Sequence, residues 1–287
     1  MTRTVRALLD YGIARFERAG LSYGHGTTNA LDEAAWLILH SLSLPLDELN
    51  PHLDEPLTEA QYRAAKALLD QRVRSRKPAA YLTHEAWLGK HRFYVDERVI
   101  VPRSFIAELL PHSGWAPACA GATLLDLCTG SGCLAILAAL TWPQAKVDGA
   151  DLSEDALEVA KRNVADYKLS RRVRLVKSDL FSSLATRKYD LIISNPPYVK
   201  ASSMRKLPDE YRKEPQMALA SGADGLGHTR RILAKAKEHL NPGGKLVVEI
   251  GHNRAALERE YPGVAFSWPK ASAGAGYVFV LDREQLP

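Results

Sequence analysis

Apolar residues recur at helical spacing through the first eighty positions. Val5, Leu8, Leu9, Gly12, Ile13 and Phe16 stand at i, i+3, i+4, i+7, i+8 and i+11, one stripe of a helix. Leu31, Ala34, Ala35, Ile38, Leu39 and Leu42 repeat the pattern behind Asn29, a suitable cap, with Asp32 and Glu33 in the first turn. Thr58-Glu59-Ala60-Gln61 is a capping box, and Ala64, Ala65 and Leu68 follow on one face until Pro78 stops the helix. Residues 1–80 show no cluster of chemistry-bearing side chains, so they are expected to form a helical module that selects a partner.

Residues 81–102 change character. Trp87 to Val95 reads as a hairpin turning at Gly89-Lys90, and Val99-Ile100-Val101-Pro102 closes a short extended piece. Its several aromatic residues predict a packed connector and not a loose tether. Residues 103–287 then alternate strands and helices, the signature of a doubly wound parallel sheet. Strands are predicted near Thr123–Leu127, Lys146–Ala150, Val173–Lys177, Tyr189–Ser194 and Lys245–Ile250. Helices are predicted at Cys133–Thr141, Asp155–Tyr167 and Thr229–Leu240. Val264–Trp268 and Tyr277–Leu281 are predicted to end the chain as an antiparallel hairpin. The expected fold is α/β: a Rossmann-like, seven-stranded sheet with a terminal antiparallel hairpin, plus an N-terminal helical bundle.

Composition narrows the class. The chain has 287 residues, 46% hydrophobic and 25% charged, which excludes intrinsic disorder and low-complexity designs. No apolar run approaches the ~20 residues of a membrane span, and no signal-peptide core follows the first residues, so a cytoplasmic location is expected. The net charge of +5 permits a partner that lives on RNA without requiring one. The densest basic run, Arg72, Arg74, Arg76 and Lys77, reads as a solvated helix end. Three cysteines cannot build a disulfide framework. Cys128 and Cys133, with Cys119 upstream, lack the further ligands of a metal site and read as small buried thiols, so no metal is expected.

Two segments carry chemistry. In Leu124-Leu125-Asp126-Leu127-Cys128-Thr129-Gly130-Ser131-Gly132-Cys133 an apolar strand runs through glycines into a helix, the setting of a nucleotide turn. The spacing Gly130-x-Gly132-x-x-Ala135 also satisfies a dinucleotide fingerprint. Asp126, however, would repel a pyrophosphate and suits the cationic amino-acid moiety of S-adenosylmethionine. Here the chain resembles class I methyltransferases, with Cys128 standing at their first glycine. Asp151, before Leu152, ends the second strand and can accept both ribose hydroxyls, with Ser153 free to cap the helix instead. Asp179 and Leu180 end the third strand, where Asp179 can accept from an adenine amine and Leu180 can cover the ring.

The second segment is Asn195-Pro196-Pro197-Tyr198 at the end of the fourth strand. Two prolines carry no N–H, so the turn presents acceptors, the Asn195 side-chain oxygen and the Pro196 carbonyl, beside an aromatic ring. That is a cradle for a planar NH2 group, placed where ligands bind in open α/β sheets. Two acceptors that hold both N–H groups fix a weakly nucleophilic amide nitrogen with its lone pair toward the sulfonium methyl. Asn195 is no base, so the proton is expected to leave after transfer.

The Asn-Pro-Pro-Tyr motif is shared by methyltransferases that act on adenine, guanine and glutamine nitrogens. The helical module, the hairpin, Val101-Pro102-Arg103 and Glu214-Pro215 followed by Ala218–Leu226 resemble the protein N(5)-glutamine methyltransferases over nearly the whole chain. Tyr23-Gly24-His25-Gly26-Thr27, Phe93–Val99 and the glycine turn are similar to the branch acting on the third protein of the large ribosomal subunit, uL3. Phe105 departs from that branch's pattern. The resemblance implies S-adenosylmethionine as methyl donor, with S-adenosylhomocysteine as product. It implies Asp126, Cys128, Thr129, Gly130, Ser131, Gly132, Asp151, Leu152, Asp179, Leu180 and Asn195 as donor-binding residues, and Asn195, Pro196, Pro197 and Tyr198 as catalytic residues. The implied partner is a ribosomal protein before or during assembly. The release-factor branch, a base methyltransferase acting on RNA or DNA, and a nicotinamide oxidoreductase remain open at this point.

Overall fold

A computed structural model describes residues 3–112, 114–115 and 121–287; Cys119 lies outside the described residues. The N-terminal helices are α1 (Val5–Arg18), α2 (Ala30–Ser41), α3 (Leu49–His52), α4 (Glu59–Ser75) and α5 (Ala79–Thr83). Their caps are those the chain spelled out: the Asn29 side chain accepts from the Asp32 N–H, and Thr58 and Gln61 close a capping box. The buried stripes are rotated from expectation in two places. Leu31 is 46% exposed and Ala30 takes its place on the buried side, while Ala34, Ala35, Ile38 and Leu39 are buried as expected. In α4 the buried line is Ala65, Leu69 and Arg72, while Ala64 faces out. On this face Arg72 meets Glu33 of α2 at 2.6 Å.

The basic run at the end of α4 is therefore not a solvated helix end. Arg72 is fully buried, and it also lies 3.4 Å from Glu210, whose carboxylate takes Arg76 at 3.0 Å. Arg74 alone among the three arginines faces outward.

The connector forms β1 (Ala86–Leu88) and β2 (His91–Phe93), a hairpin turning at Gly89-Lys90. Val95, Val99 and Val101 share the apolar core of the N-terminal helices together with Ala156 and Val159 of the following unit.

The remaining strands are β3 (Thr123–Leu127), β4 (Lys146–Asp151), β5 (Val173–Lys177), β6 (Tyr189–Ser194), β7 (Leu240–Glu249), β8 (Lys270–Ala271), β9 (Gly274–Ala275) and β10 (Val278–Asp282). The intervening helices are α6 (Phe105–Leu109), α7 (Cys133–Thr141), α8 (Glu154–Asp166), α9 (Ala201–Met204), α10 (Gly227–His239) and α11 (Arg254–Glu260). The sheet order is β10-β7-β6-β3-β4-β5, parallel except for β10. Side chains alternate across it. Leu124, Val147, Leu191 and Val247 face α6 to α8, whereas Leu125, Ala150, Ile192 and Leu246 face the side of α10 and α11.

Six strands are paired in this sheet among the described residues, not seven. Of Val264–Trp268 only Ser267 meets β10, exchanging two backbone hydrogen bonds with Val280. The ladder stops because Pro269 has no N–H on one side, and on the other the Asp282 N–H donates to the Gln285 side chain. The antiparallel final strand is present as β10, against β7.

Candidate active site

Strand order reverses between β3 and β6, and ligands bind at such a switch point outside the carboxyl ends of the strands. Ser194 ties the two strand ends together, donating its hydroxyl to the Leu127 carbonyl at 2.8 Å. A cavity of about 300 Å³ opens there, and the strand ends supply Cys128, Gly130, Asp151, Leu152, Asp179, Leu180, Asn195 and Pro197 to its walls. Beside it lies a second cavity of about 220 Å³, lined by Arg103, Asn195, Pro196, Tyr198, Tyr211 and Leu219 among others. The two share Ile100, Asn195 and Ala218. Asn195-Pro196-Pro197-Tyr198 is thus the partition between them, with Pro197 on the first cavity and Pro196 and Tyr198 on the second.

The first cavity fits a nucleoside. Asp151 accepts from the Gly130 N–H and the Ser153 N–H, both at 2.9 Å, so each oxygen is anchored with lone pairs left for a diol. Burial raises its pKa against those N–H bonds. Ser153 caps α8, accepting from the Ala156 N–H. Leu152 and Leu180 offer apolar surface. Gly130 takes φ +54°, and only open space lies where its Cβ would stand, so a ligand can approach the backbone there. Cys128 also has a left-handed φ of +59°, the conformation that suits the glycine expected at this position. Asp179 lines the wall while pairing with Arg231 at 2.7 Å, which lowers its pKa.

Asp126 lies behind the glycine turn. It is fully buried and absent from the cavity wall; it accepts from the Thr129 hydroxyl at 2.6 Å and the Ala135 N–H at 3.0 Å. Burial pushes its carboxyl up to about 7. Asp126 therefore braces the glycine turn from behind through one oxygen, while its other oxygen, Oδ1, is buried without a hydrogen-bond partner. Thr129, Ser131 and Gly132 likewise form the turn without lining the cavity.

The second cavity is braced by residues far apart in the chain. Glu214 receives both guanidinium nitrogens of Arg103 at 2.6 Å and the Val101 N–H at 2.9 Å. Burial opposes ionisation of Glu214, but Arg103 and the nearby His25 together hold its carboxyl down to about 2. His25, from a segment with no predicted chemistry, places Nε2 3.6 Å from Glu214 and its ring 4.2 Å from that of Tyr211. The Asn195 side-chain nitrogen donates to the Arg103 carbonyl at 3.3 Å.

Tyr198 is wedged against Gly251, where a Cβ would stand 2.8 Å from the ring, and its carbonyl accepts from Asn253 at 2.9 Å. Its hydroxyl donates to Glu249 at 3.3 Å. Glu249 also receives the Ser104 hydroxyl and the Phe105 N–H, yet burial pushes its carboxyl up to about 7. This has a measurable consequence. Below the unfolded value of 4.5 both states are protonated; as pH rises toward 7 the unfolded chain ionises first, so stability is lost, and the loss levels off above 7. Glu249→Gln removes that loss. Its melting temperature relative to the parent protein should improve between pH 4.5 and 8, by the equivalent of about 2–3 kcal/mol. A gap independent of pH would show that Glu249 is ionised throughout.

Among the described residues no group of His, Cys, Asp or Glu gathers as metal ligands do, and no helix is long and apolar enough to cross a membrane. Cys133 is half-buried, and burial pushes its thiol up to about 12.

A parallel sheet closed by one antiparallel strand, a glycine turn with an acidic residue at the next strand end, and an acceptor-rich Asn-Pro-Pro-Tyr partition define a class I S-adenosylmethionine-dependent methyltransferase. Residues 104–222 match the methyltransferase small domain, and residues 7–83 match the PrmC N-terminal domain. A ribosomal protein uL3 glutamine methyltransferase from Neisseria meningitidis serogroup B is 56% identical, over 99% of this chain and 94% of its own. One from Burkholderia pseudomallei is 51% identical, over 99% and 96%. A methyltransferase structure from Pyrococcus furiosus, 20% identical, superposes with a TM-score of 0.50 over 67% of this chain and 88% of its own, a likeness of fold. The chain belongs to the protein N(5)-glutamine methyltransferase family, in the branch of the ribosomal protein uL3 glutamine methyltransferases.

Proposed function

We infer that the protein transfers a methyl group from S-adenosylmethionine to the side-chain amide nitrogen of a glutamine in ribosomal protein uL3. The observation that carries the chemistry is the pair of cavities meeting at Asn195. The donor's sulfonium supplies an electrophilic methyl carbon. The chain supplies position: Asp151 takes the ribose hydroxyls, and Leu152 and Leu180 cover the base. Asn195 Oδ1 and the Pro196 carbonyl hold the two amide N–H groups, so that the nitrogen lone pair faces the first cavity. A nitrogen–carbon bond forms as the carbon–sulfur bond breaks. The nitrogen then releases one proton to solvent, and S-adenosylhomocysteine departs.

Residues 1–80 serve as the substrate-recognition module, 81–102 as the connector and 103–287 as the catalytic unit. What supports this division is that both cavities are built after residue 97, while the capped helices precede them. The work is cytoplasmic, on uL3 before or during assembly, while the target glutamine is extended enough to enter the second cavity. Direct nucleic-acid binding is not required. The test offers labelled S-adenosylmethionine with free uL3, intact ribosomes, a release factor or naked RNA. Free uL3 should be labelled first. Preferential labelling of the release factor would place the enzyme in the other branch, and labelling of RNA alone would remove the protein substrate.

Asp151→Ala should weaken donor binding by about 1.5–3 kcal/mol, the range for hydrogen bonds to a charged group. Calorimetry reads this directly, and unchanged affinity would move the ribose elsewhere.

A further inference from the structure

The partition residue Asn195 is itself oriented from outside the motif. Its side-chain nitrogen faces the Arg103 carbonyl at 3.3 Å. A carbonyl only accepts, so the opposite orientation would set oxygen against oxygen; the contact therefore turns Asn195 Oδ1 to the other end of the planar group. The backbone that carries the Arg103 carbonyl is fixed through the Arg103 side chain, whose guanidinium also donates to the Val101 carbonyl at 3.3 Å. The guanidinium grips Glu214 with two bonds of 2.6 Å, and Glu214 binds the Val101 N–H at 2.9 Å, so one buried carboxylate ties residues 101–103 at backbone and side chain together.

We propose that Glu214 is a positioning residue for methyl transfer: through Arg103 it holds the Asn195 amide with nitrogen bound and oxygen presented to the substrate. This rests on the reading of Asn195 as the holder of the acceptor amide. A glutamine NH2 brings two donors and needs acceptors opposite both. An Asn195 free to flip would present its own NH2 half of the time, donor against donor. The bidentate Arg103–Glu214 pair, with fixed fork geometry, prevents the backbone shift that would release it.

Glu214→Ala leaves a buried guanidinium without its partner and risks misfolding. The test therefore uses Glu214→Gln and Arg103→Lys, which keep volume but lose the bidentate grip. Each should lower kcat/KM for the protein substrate about ten- to a hundredfold, while the Kd for S-adenosylmethionine stays within about threefold. In an Asn195→Ala background Glu214→Gln should cost no further rate, since the two act as one unit. Nitrogen-edited NMR supplies a readout independent of turnover. The Asn195 side-chain protons, assigned by their loss in Asn195→Ala, should carry a hydrogen-bonded downfield shift and be protected from solvent exchange in the parent protein and lose both features in Glu214→Gln. Additive losses, an equal fall in donor affinity, or an unchanged Asn195 signal would each overturn the proposal. Should the parent protein methylate none of the acceptors offered, the functional reading fails, while the NMR comparison still decides whether Glu214 orients Asn195.

Discussion

Asn195→Ala should reduce methyl transfer by a hundredfold or more while moving the thermal midpoint by only a few degrees. The disparity follows from where the side chain stands. In the free protein it makes one 3.3 Å hydrogen bond, to the Arg103 carbonyl, and a single such bond contributes about 0.5–1.5 kcal/mol to stability. During transfer it is asked for more, because the amide nitrogen reacts only when its N–H groups are held, and loss of one positioned polar partner typically costs 10²–10³ in rate. Asn195 lines both cavities, so part of the deficit should appear as weaker donor binding. Single-turnover rates at saturating donor separate the two contributions. Turnover within a few-fold of the parent protein would mean that the amide cradle lies elsewhere.

The largest stability effect is expected not in the catalytic unit but at the end of α4. Arg72→Ala should destabilise the protein by about 3–5 kcal/mol, whereas Arg74→Ala, two residues away, should stay within about 0.5 kcal/mol. Arg72 is fully buried between Glu33 and Glu210 and also donates to the Ser22 carbonyl at 3.2 Å. Its removal leaves two buried carboxylates, with Arg76 and the Thr27 hydroxyl as incomplete compensation. Glu210 stands four residues before Glu214, so loosening this contact should also disturb the wall of the acceptor cavity. Arg74 faces outward and removes only a surface charge. Chemical denaturation of the two variants side by side makes the comparison, and similar midpoints would show that the buried network adds little beyond an apolar contact.

Much of the molecule was legible in the chain because the governing physics is local. Helix starts at Asn29 and Thr58 depend on a side chain reaching three residues ahead. The hairpin at Gly89-Lys90 needs only a short turn. The continuous apolar runs of β3 and β4 reflect a sheet covered on both faces. The Asn-Pro-Pro-Tyr segment could be read as a turn that presents acceptors because proline's missing N–H is a property of the residue itself. The positions that differ from the pattern are those where neighbours in space override it. The Val264–Trp268 strand shrank to one bridge because Pro269 and the Gln285 side chain stop its ladder. Asp126, at a strand end that faces ligands in sequence, turned inward to the Thr129 hydroxyl and the Ala135 N–H.

The amino-acid sequence by itself determined the main alternation of strands and helices, the nucleotide-type turn and, through family likeness, the reaction. Tertiary structure decided which charges meet. Arg72 with Glu210 and Arg103 with Glu214 are separated by 138 and 111 residues. No periodicity or motif pairs such residues. A buried ion is tolerated only where folding delivers a partner of opposite charge at hydrogen-bond distance, and that delivery is a property of how the helical module, the connector and the sheet pack together.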